Sequence, residues 1–125
     1  MIRKAFRMSV HAGAGAEYER RHNPISADLA QVLLEHGVST YSIFLDAASG
    51  DLFAYVEFED EAAWRRVADT DACRRWWAFM RDVMPVNPDN SPASLDLREV
   101  FHLERERETS ASERNGTLPT TPPRC

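Results

Sequence analysis

Two alternating segments joined by a short turn constrain the fold of this 125-residue chain more than any other feature. Residues 38–46 and 51–59 both alternate apolar and polar side chains, which is typical of half-buried β-strands. Residues 47–50 between them are the small and polar residues of a tight turn. We therefore predict a β-hairpin with a four-residue loop.

The segment before the hairpin predicts one strand and two helices. Residues 2–10 alternate as a strand, and the helix that follows should break at Asn23, since Pro24 disfavours helical geometry in the residue before it. Asn is favoured at the N-cap and Pro at the first helical position, so a second helix is predicted to begin at Pro24. Gly37 is expected to end it. The break leaves His22 at a helix C-terminus, where the dipole favours imidazolium.

The segment after the hairpin completes the predicted order of elements. Asp60 and Thr70 are expected to cap two helices, the second running to about Val83. Residues 94–103 alternate again and predict a last strand. Strand, helix, strand, strand, helix, strand is the ferredoxin-like βαββαβ order of an α+β fold.

One face of the predicted sheet carries aromatic side chains and no helix. Depending on register it includes Tyr41 or Phe44, together with Phe53, Tyr55 and Phe101. Such a surface is too apolar to stay in water. Because two such sheets can pack face to face, we expect a homodimer with a dimeric α+β barrel architecture.

Composition limits the domain organisation and the partners. Residues 1–104 predict one globular domain with a core, given 43% hydrophobic residues, and the polar residues 105–125 predict a disordered tail. A net charge of −5 argues against nucleic acid as a partner. No apolar run is long enough to cross a membrane. Two cysteines, Cys73 and Cys125, make no disulfide framework, and no signal peptide is recognised, so we predict a cytoplasmic protein.

Two pairs of aromatic side chains indicate a binding site. Tyr18 and His22 are four residues apart and share one face of a helix, where His can move a proton and Tyr can donate, accept or stack. Trp76 and Trp77 point about 100° apart, so one ring can fill the core while the other walls a pocket. Aromatic faces beside hydroxyl groups are how proteins commonly hold sugars. A solvated helix face and a core Trp beside a boundary Trp are the alternative interpretations.

Six motifs over residues 1 to 103 together resemble the L-rhamnose mutarotase family. They are Met1-Ile2-Arg3-Lys4-Ala5-Phe6, Tyr18-x-x-Arg21-His22-Asn23-Pro24-Ile25, Tyr41-x-Ile43-x-Leu45-Asp46, Leu52-Phe53-Ala54-x-Val56-Glu57, Arg75-Trp76-Trp77-x-Phe79-Met80-x-Asp82-x-Met84-Pro85 and Asn87-Pro88-Asp89-Asn90-Ser91-Pro92. The resemblance implies a dimeric α+β barrel and an isomerase that interconverts the α and β anomers of L-rhamnose without a cofactor.

The resemblance also implies roles for single residues. His22 is the expected proton donor, and Tyr18, Tyr41, Trp76 and Trp77 are the expected sugar-binding residues. The general base stays open between a carboxylate, a tyrosine hydroxyl and ordered water. The histidines and Cys73 lack the spacing of zinc ligands, so no metal is predicted.

The chain departs from the family pattern at one place, and two other functions stay open for this architecture. Where the family often continues with Trp-Pro, this chain has Ser26-Ala27, so an aromatic wall is expected to be missing and the range of sugars stays open. The same architecture hosts monooxygenases, and it can also form a non-catalytic small-molecule-binding module. Fold by itself does not separate these functions.

Overall fold

The computed structural model describes residues 1–105, which form one antiparallel sheet covered by helices on one face. The elements are β1 (Ile2–Ser9), α1 (Gly15–Arg21), α2 (Ala27–Glu35), β2 (Val38–Asp46), β3 (Asp51–Phe58), α3 (Glu61–Val67), α4 (Asp71–Met80) and β4 (Leu95–Leu97). The strand order is β2-β3-β1-β4. This is the predicted ferredoxin-like α+β order, with each helical region divided into two helices. Most of the predicted tail, residues 106–125, lies outside the described residues.

Strand register decides which aromatic residue faces the helices. β2 and β3 form the predicted hairpin, with Asp46 opposite Asp51 at the loop, and Tyr41 lies opposite the fully buried Val56. Residues directly opposite on neighbouring strands share a face. Tyr41 therefore lies on the helix-covered face, and Phe44, opposite Phe53, lies on the other face.

The core lies between the sheet and the helices, and β3 supplies its centre. The alternate residues Leu52, Ala54, Val56 and Phe58 are at most 1% exposed. The Phe58 ring stacks on Trp64 of α3 with centroids 5.0 Å apart. A central strand with one face so fully covered anchors the register of the whole sheet.

The helix caps confirm two predictions and overturn a third. Asp60 Oδ2 accepts a hydrogen bond from the Ala63 amide at 2.9 Å, and Thr70 Oγ1 caps α4 as expected. The helix predicted from Pro24 begins instead at Ala27, because Ser26 Oγ accepts from the amide of residue 29. The predicted cap Asn23 donates its amide to the Glu19 carbonyl at 2.8 Å and so closes α1 instead.

Two elements are shorter in the structure than the sequence predicted. α4 ends at Met80 and not at Val83, because the last residues close a turn in which the Val83 amide donates to the Met80 carbonyl. The last strand was expected over residues 94–103, but β4 pairs with β1 only over Leu95–Leu97. Beyond Leu97 the strand pairing stops, and the Arg3 side chain instead donates to the Glu99 carboxylate at 3.0 Å.

The sheet face without helices exposes large apolar side chains. We call it the helix-free face and define it by Phe44, Phe53, Leu95 and Leu97, which are 65%, 38%, 56% and 40% exposed. Phe101, predicted for this face, lies beyond β4 and outside the sheet. Within residues 1–105, the helices are too short and too polar to cross a membrane.

Candidate active site

A cavity of about 1150 Å³ opens between the helices and the sheet. All five residues predicted for the site line this cavity: Tyr18, His22, Tyr41, Trp76 and Trp77. They come from α1, β2 and α4, which are far apart in the sequence. The fold therefore gathers the predicted residues around one space.

The helix α1 presents Tyr18 and His22 side by side. Their ring centroids are 4.4 Å apart with the planes tilted by 33°. His22 Nδ1 lies 2.8 Å from the Tyr18 carbonyl oxygen. Because a carbonyl oxygen can only accept, Nδ1 must carry the proton and donate it. In the neutral ring, Nε2 is then the unprotonated nitrogen, and it has no hydrogen-bond partner within residues 1–105.

Burial decides the protonation of both rings. It lowers the pKa of His22 below its ordinary value near 6.5, although the hydrogen bond to the Tyr18 carbonyl acts in the opposite direction. Although the helix C-terminus was expected to favour imidazolium, the net shift favours the neutral ring, since desolvation of the charged ring is the larger effect. Burial also raises the pKa of Tyr18 to about 12, which keeps its hydroxyl neutral.

The helix α4 places its two tryptophans differently. The Trp76 ring meets the His22 ring edge to face, with centroids 5.0 Å apart and planes at 82°. Trp77 has the guanidinium of Arg74 above its ring, 6.0 Å from the centroid. Both rings are half-buried and line the cavity. Neither ring is fully buried, so the expectation that one of them fills the core is wrong, and both form part of the cavity wall.

Tyr41 occupies a different part of the cavity wall. Its ring lies 6.4 Å from Phe6, edge to face, and 6.0 Å from Trp64. Burial raises the pKa of its hydroxyl, and the nearby Tyr18 and Cys73 raise it further. Tyr41 is thus a neutral hydroxyl on the sheet side, whereas Tyr18, His22 and Trp76 form a contiguous aromatic group.

A polar loop that the sequence showed only as a family motif, without a predicted role, also lines the cavity. Asn87, Asn90 and Ser91 contribute to the wall, and the Asn87 amide group holds the loop by donating to Ser91 Oγ at 3.0 Å. Amide and hydroxyl groups are the usual partners of sugar hydroxyls. Their density in this motif was the signal that could have revealed the loop.

The departure at Ser26-Ala27 lies away from the cavity wall. Ser26 is the N-cap of α2, and neither residue is among the described residues that line the cavity, whereas the preceding Ile25 is. Glu19 is the one carboxylate among those lining residues. Within residues 1–105, no three His, Cys, Asp or Glu side chains cluster closely enough to hold a metal ion.

The sequence matches a known family over nearly the whole described region. Residues 3–103 match the family model described as L-rhamnose mutarotase. An L-rhamnose mutarotase of Opitutus terrae is 66% identical over 104 residues, which cover 83% of this chain and 100% of that protein. One of Salmonella newport is 60% identical with the same coverage of 83% and 100%.

Solved structures support the same assignment of the fold. The crystal structure of an L-rhamnose mutarotase from Formosa agariphila superposes with a TM-score of 0.76 at 40% identity, covering 83% of this chain and 100% of that chain. SnoaB of Streptomyces nogalater, a cofactor-independent oxygenase, superposes with a TM-score of 0.58 at 17% identity, covering 82% and 96%. The second likeness concerns the fold alone, the dimeric α+β barrel architecture predicted above.

Proposed function

This chain belongs to the L-rhamnose mutarotase family and is an isomerase, and we propose that it interconverts the α and β anomers of L-rhamnose at the Tyr18–His22–Trp76 group. The observation that carries the site assignment is the His22 ring. Its Nδ1 is held by a backbone carbonyl, and its Nε2 has no partner within residues 1–105, in a wall of the cavity. That arrangement suits a group that exchanges protons with a bound molecule.

The reaction needs only proton transfers around one carbon atom. The anomeric hydroxyl loses a proton, the bond between C1 and the ring oxygen breaks as the carbonyl forms, and the ring oxygen gains a proton. The aldehyde then turns and the ring closes by the reverse steps. His22 Nε2 takes the anomeric proton and, as imidazolium, donates it to the ring oxygen. The two oxygens are bonded to the same carbon, so one nitrogen can serve both.

The depressed pKa of His22 supports this two-step role. A neutral resting ring can accept the first proton, so we propose His22 itself as the base. The resulting imidazolium is more acidic than an ordinary one, so it gives the proton up readily to the ring oxygen. The role of proton donor is thereby combined with that of the base in one side chain.

The other predicted residues bind the sugar. The half-buried rings of Trp76 and Trp77 offer flat apolar surfaces for the C–H face of the pyranose. The hydroxyls of Tyr18 and Tyr41 are neutral at neutral pH, and burial raises their pKa values further, so both can donate as well as accept hydrogen bonds to the sugar. Together these side chains hold the sugar beside His22 and exclude water from it.

Saturation-transfer proton NMR on equilibrated L-rhamnose tests the proposed reaction. One anomeric proton is irradiated and the other is observed, with and without protein. Transfer that increases with protein concentration is the expected result. Bound sugar without transfer would indicate a non-catalytic binding module, and consumption of oxygen with an aromatic substrate would indicate a monooxygenase. Transfer with a different aldose, but not with L-rhamnose, would move the substrate assignment to that sugar.

The pH dependence of exchange follows from the direction of the His22 pKa shift. The neutral ring is the resting form, and its folded-state pKa lies below about 6.5. We therefore expect a constant protein-catalysed rate at and above neutral pH, and a fall at more acidic pH as Nε2 becomes protonated. Saturation transfer across this range, after subtraction of the spontaneous rate, measures it. A rate that rises on acidification from neutral pH would contradict the neutral resting form.

The chain is also proposed to form a homodimer through the helix-free face. Four large apolar side chains stand exposed there, and at 65% exposed Phe44 is the most prominent. Monomeric proteins rarely leave so much apolar surface of one sheet face in water. Two sheets that pack face to face through it would form the closed barrel of this architecture. A cytoplasmic location and a disordered tail stay predictions from the sequence.

Replacing Phe44 with glutamate is expected to convert the dimer to a monomer, because each copy would bury a charge in the apolar interface. Light scattering coupled to size-exclusion chromatography measures the mass. The matched control is Leu34→Glu, since Leu34 is similarly exposed at 67% but lies on α2. A Phe44→Glu protein that keeps the mass of the native protein would contradict the assigned interface.

A further inference from the structure

We propose that Arg21 is a positioning residue that joins the end of α1 to the end of α4 and thereby holds His22 against Trp76. The inference rests on the proposed reaction at His22. Arg21 itself is not among the described residues that line the cavity, and neither are its partners Glu17, Phe79 and Asp82. Its effect on the reaction must therefore pass through the positions of other side chains.

The guanidinium of Arg21 connects the two helices through several contacts. Its Nε donates to Glu17 on the same helix at 2.7 Å, and Nη1 and Nη2 donate to the two carboxylate oxygens of Asp82 at 2.8 and 3.2 Å. Nη1 also donates to the backbone carbonyl of Phe79 at 2.7 Å. The side chain is only 13% exposed. A bidentate pair of this kind fixes direction as well as distance.

The carbonyl contact has a structural reason in α4. The last carbonyl groups of a helix have no partner within the helix, and Phe79 lies in the last turn of α4. Arginine side chains commonly satisfy such carbonyls at helix C-termini. Arg21 therefore caps α4 from a neighbouring helix, which ties the position of one helix to the other.

A continuous set of ring contacts leads from Arg21 back to His22. The guanidinium lies over the Phe79 ring, 4.6 Å from its centroid. The Phe79 ring contacts the Trp76 ring with centroids 5.6 Å apart, and the Trp76 ring meets the His22 ring edge to face with centroids 5.0 Å apart. Arg21 contacts Phe79, Phe79 contacts Trp76, and Trp76 contacts His22, which follows Arg21 directly in the chain. Displacing the Arg21 guanidinium is therefore expected to loosen the ring contacts that lead to His22.

The helix α1 needs this support because it is short. It has seven residues, and its N-cap residue Ala14 provides no side-chain hydrogen bond. Isolated helices of this length are not stable in water, so the geometry of α1 depends on tertiary contacts. Tyr18 anchors the helix in the core, while Arg21 is tied across to α4. His22 follows directly after that second anchor.

Arg20 provides a matched control within the same helix. It lies next to Arg21 and also pairs with Glu17, but its side chain is 71% exposed and its partner within residues 1–105 is on α1 itself. Arg20→Lys therefore changes the same chemical group without touching the connection to α4. It is expected to leave exchange and geometry unchanged.

Arg21→Lys is the main test of the proposal. Lysine keeps the charge but is a point donor, so it cannot hold Asp82, Glu17 and the Phe79 carbonyl together or stack as a plane on the ring. A misplacement of about 1 Å can cost up to about 10²-fold in rate. We expect kcat to fall by about 10- to 100-fold with a smaller change in KM, measured by saturation transfer at increasing L-rhamnose concentration. Circular dichroism verifies that the variant is folded.

A second readout is independent of activity. Nuclear Overhauser contacts between the ring protons of His22 and Trp76 are expected in the native protein and in Arg20→Lys, and weakened in Arg21→Lys. Asp82→Asn removes one partner and is expected to give an intermediate loss of kcat. If the native protein shows no anomer exchange, the proposed function fails, but these ring contacts still test the positioning role. Unchanged ring contacts together with an unchanged kcat in Arg21→Lys would overturn it.

Discussion

Replacing His22 with alanine is expected to lower the protein-catalysed rate of L-rhamnose anomer exchange by about 10²- to 10⁴-fold, the usual contribution of one general acid–base group. The reason is that His22 Nε2 takes the anomeric proton and returns it to the ring oxygen. The loss should appear mainly in kcat, because Tyr18, Tyr41, Trp76 and Trp77 still bind the sugar. The dimer should persist, since His22 lies on the helix side of the sheet and away from the helix-free face.

A pair of matched variants makes this test specific. His36 closes α2 in the same way that His22 closes α1, with Nδ1 2.7 Å from the carbonyl of Val32, but it is not among the described residues that line the cavity. The side-chain NH₂ group of asparagine can donate from near the position of the histidine Nδ1, but asparagine has no atom in the place of Nε2. We expect His22→Asn to be as inactive as His22→Ala and His36→Asn to exchange at the native rate. A native rate in either His22 variant would remove His22 from the mechanism.

Replacing Phe58 with alanine is expected to lower the free energy of unfolding by about 3–5 kcal/mol. The side chain is fully buried, at 0% exposed, on the central strand β3. Its ring stacks on Trp64 with planes only 4° apart and packs with Val38 and Val56. Truncation would leave a cavity lined by these three side chains. The change is a large fraction of the roughly 5–15 kcal/mol that stabilises an ordinary domain.

Urea unfolding followed by circular dichroism at one fixed protein concentration measures this change, since a dimer unfolds in a concentration-dependent way. Phe58→Leu is the matched control. It keeps most of the apolar volume, so a loss of no more than about 1.5 kcal/mol is expected. A loss below about 1 kcal/mol in Phe58→Ala would show that the site is not packed as the ring stack suggests. Trp64 fluorescence offers a local check of the same packing.

Several predictions that depended on neighbouring residues along the chain were confirmed. The alternation of β3, the caps Asp60 and Thr70, and the shared face of Tyr18 and His22 each follow from a short local pattern. Such patterns report the period of a strand or a helix, which the chain carries wherever it packs. The long ordered motifs were specific enough to indicate the family as well.

Predictions that depended on competition between partners were the ones that failed. Asn23 was expected to cap a helix ahead of it, but its amide bonds the helix behind it, and Ser26 takes the cap. The segment after Leu97 alternates as a strand should, yet its pairing with β1 stops at Leu97. At Asn23 the local pattern was suitable for a cap, and the partner that its amide met decided the outcome.

The sequence by itself determined the order of elements, the alternation of β2 and β3, and the five side chains that are proposed for the site and line one cavity. Only the tertiary structure decided the register that turns Tyr41 inward and Phe44 outward. It also decided that desolvation outweighs the helix end in setting the charge of His22, and that Arg21 joins two helices. Burial, register and contacts between distant segments are properties of the packed chain, so no local pattern contains them.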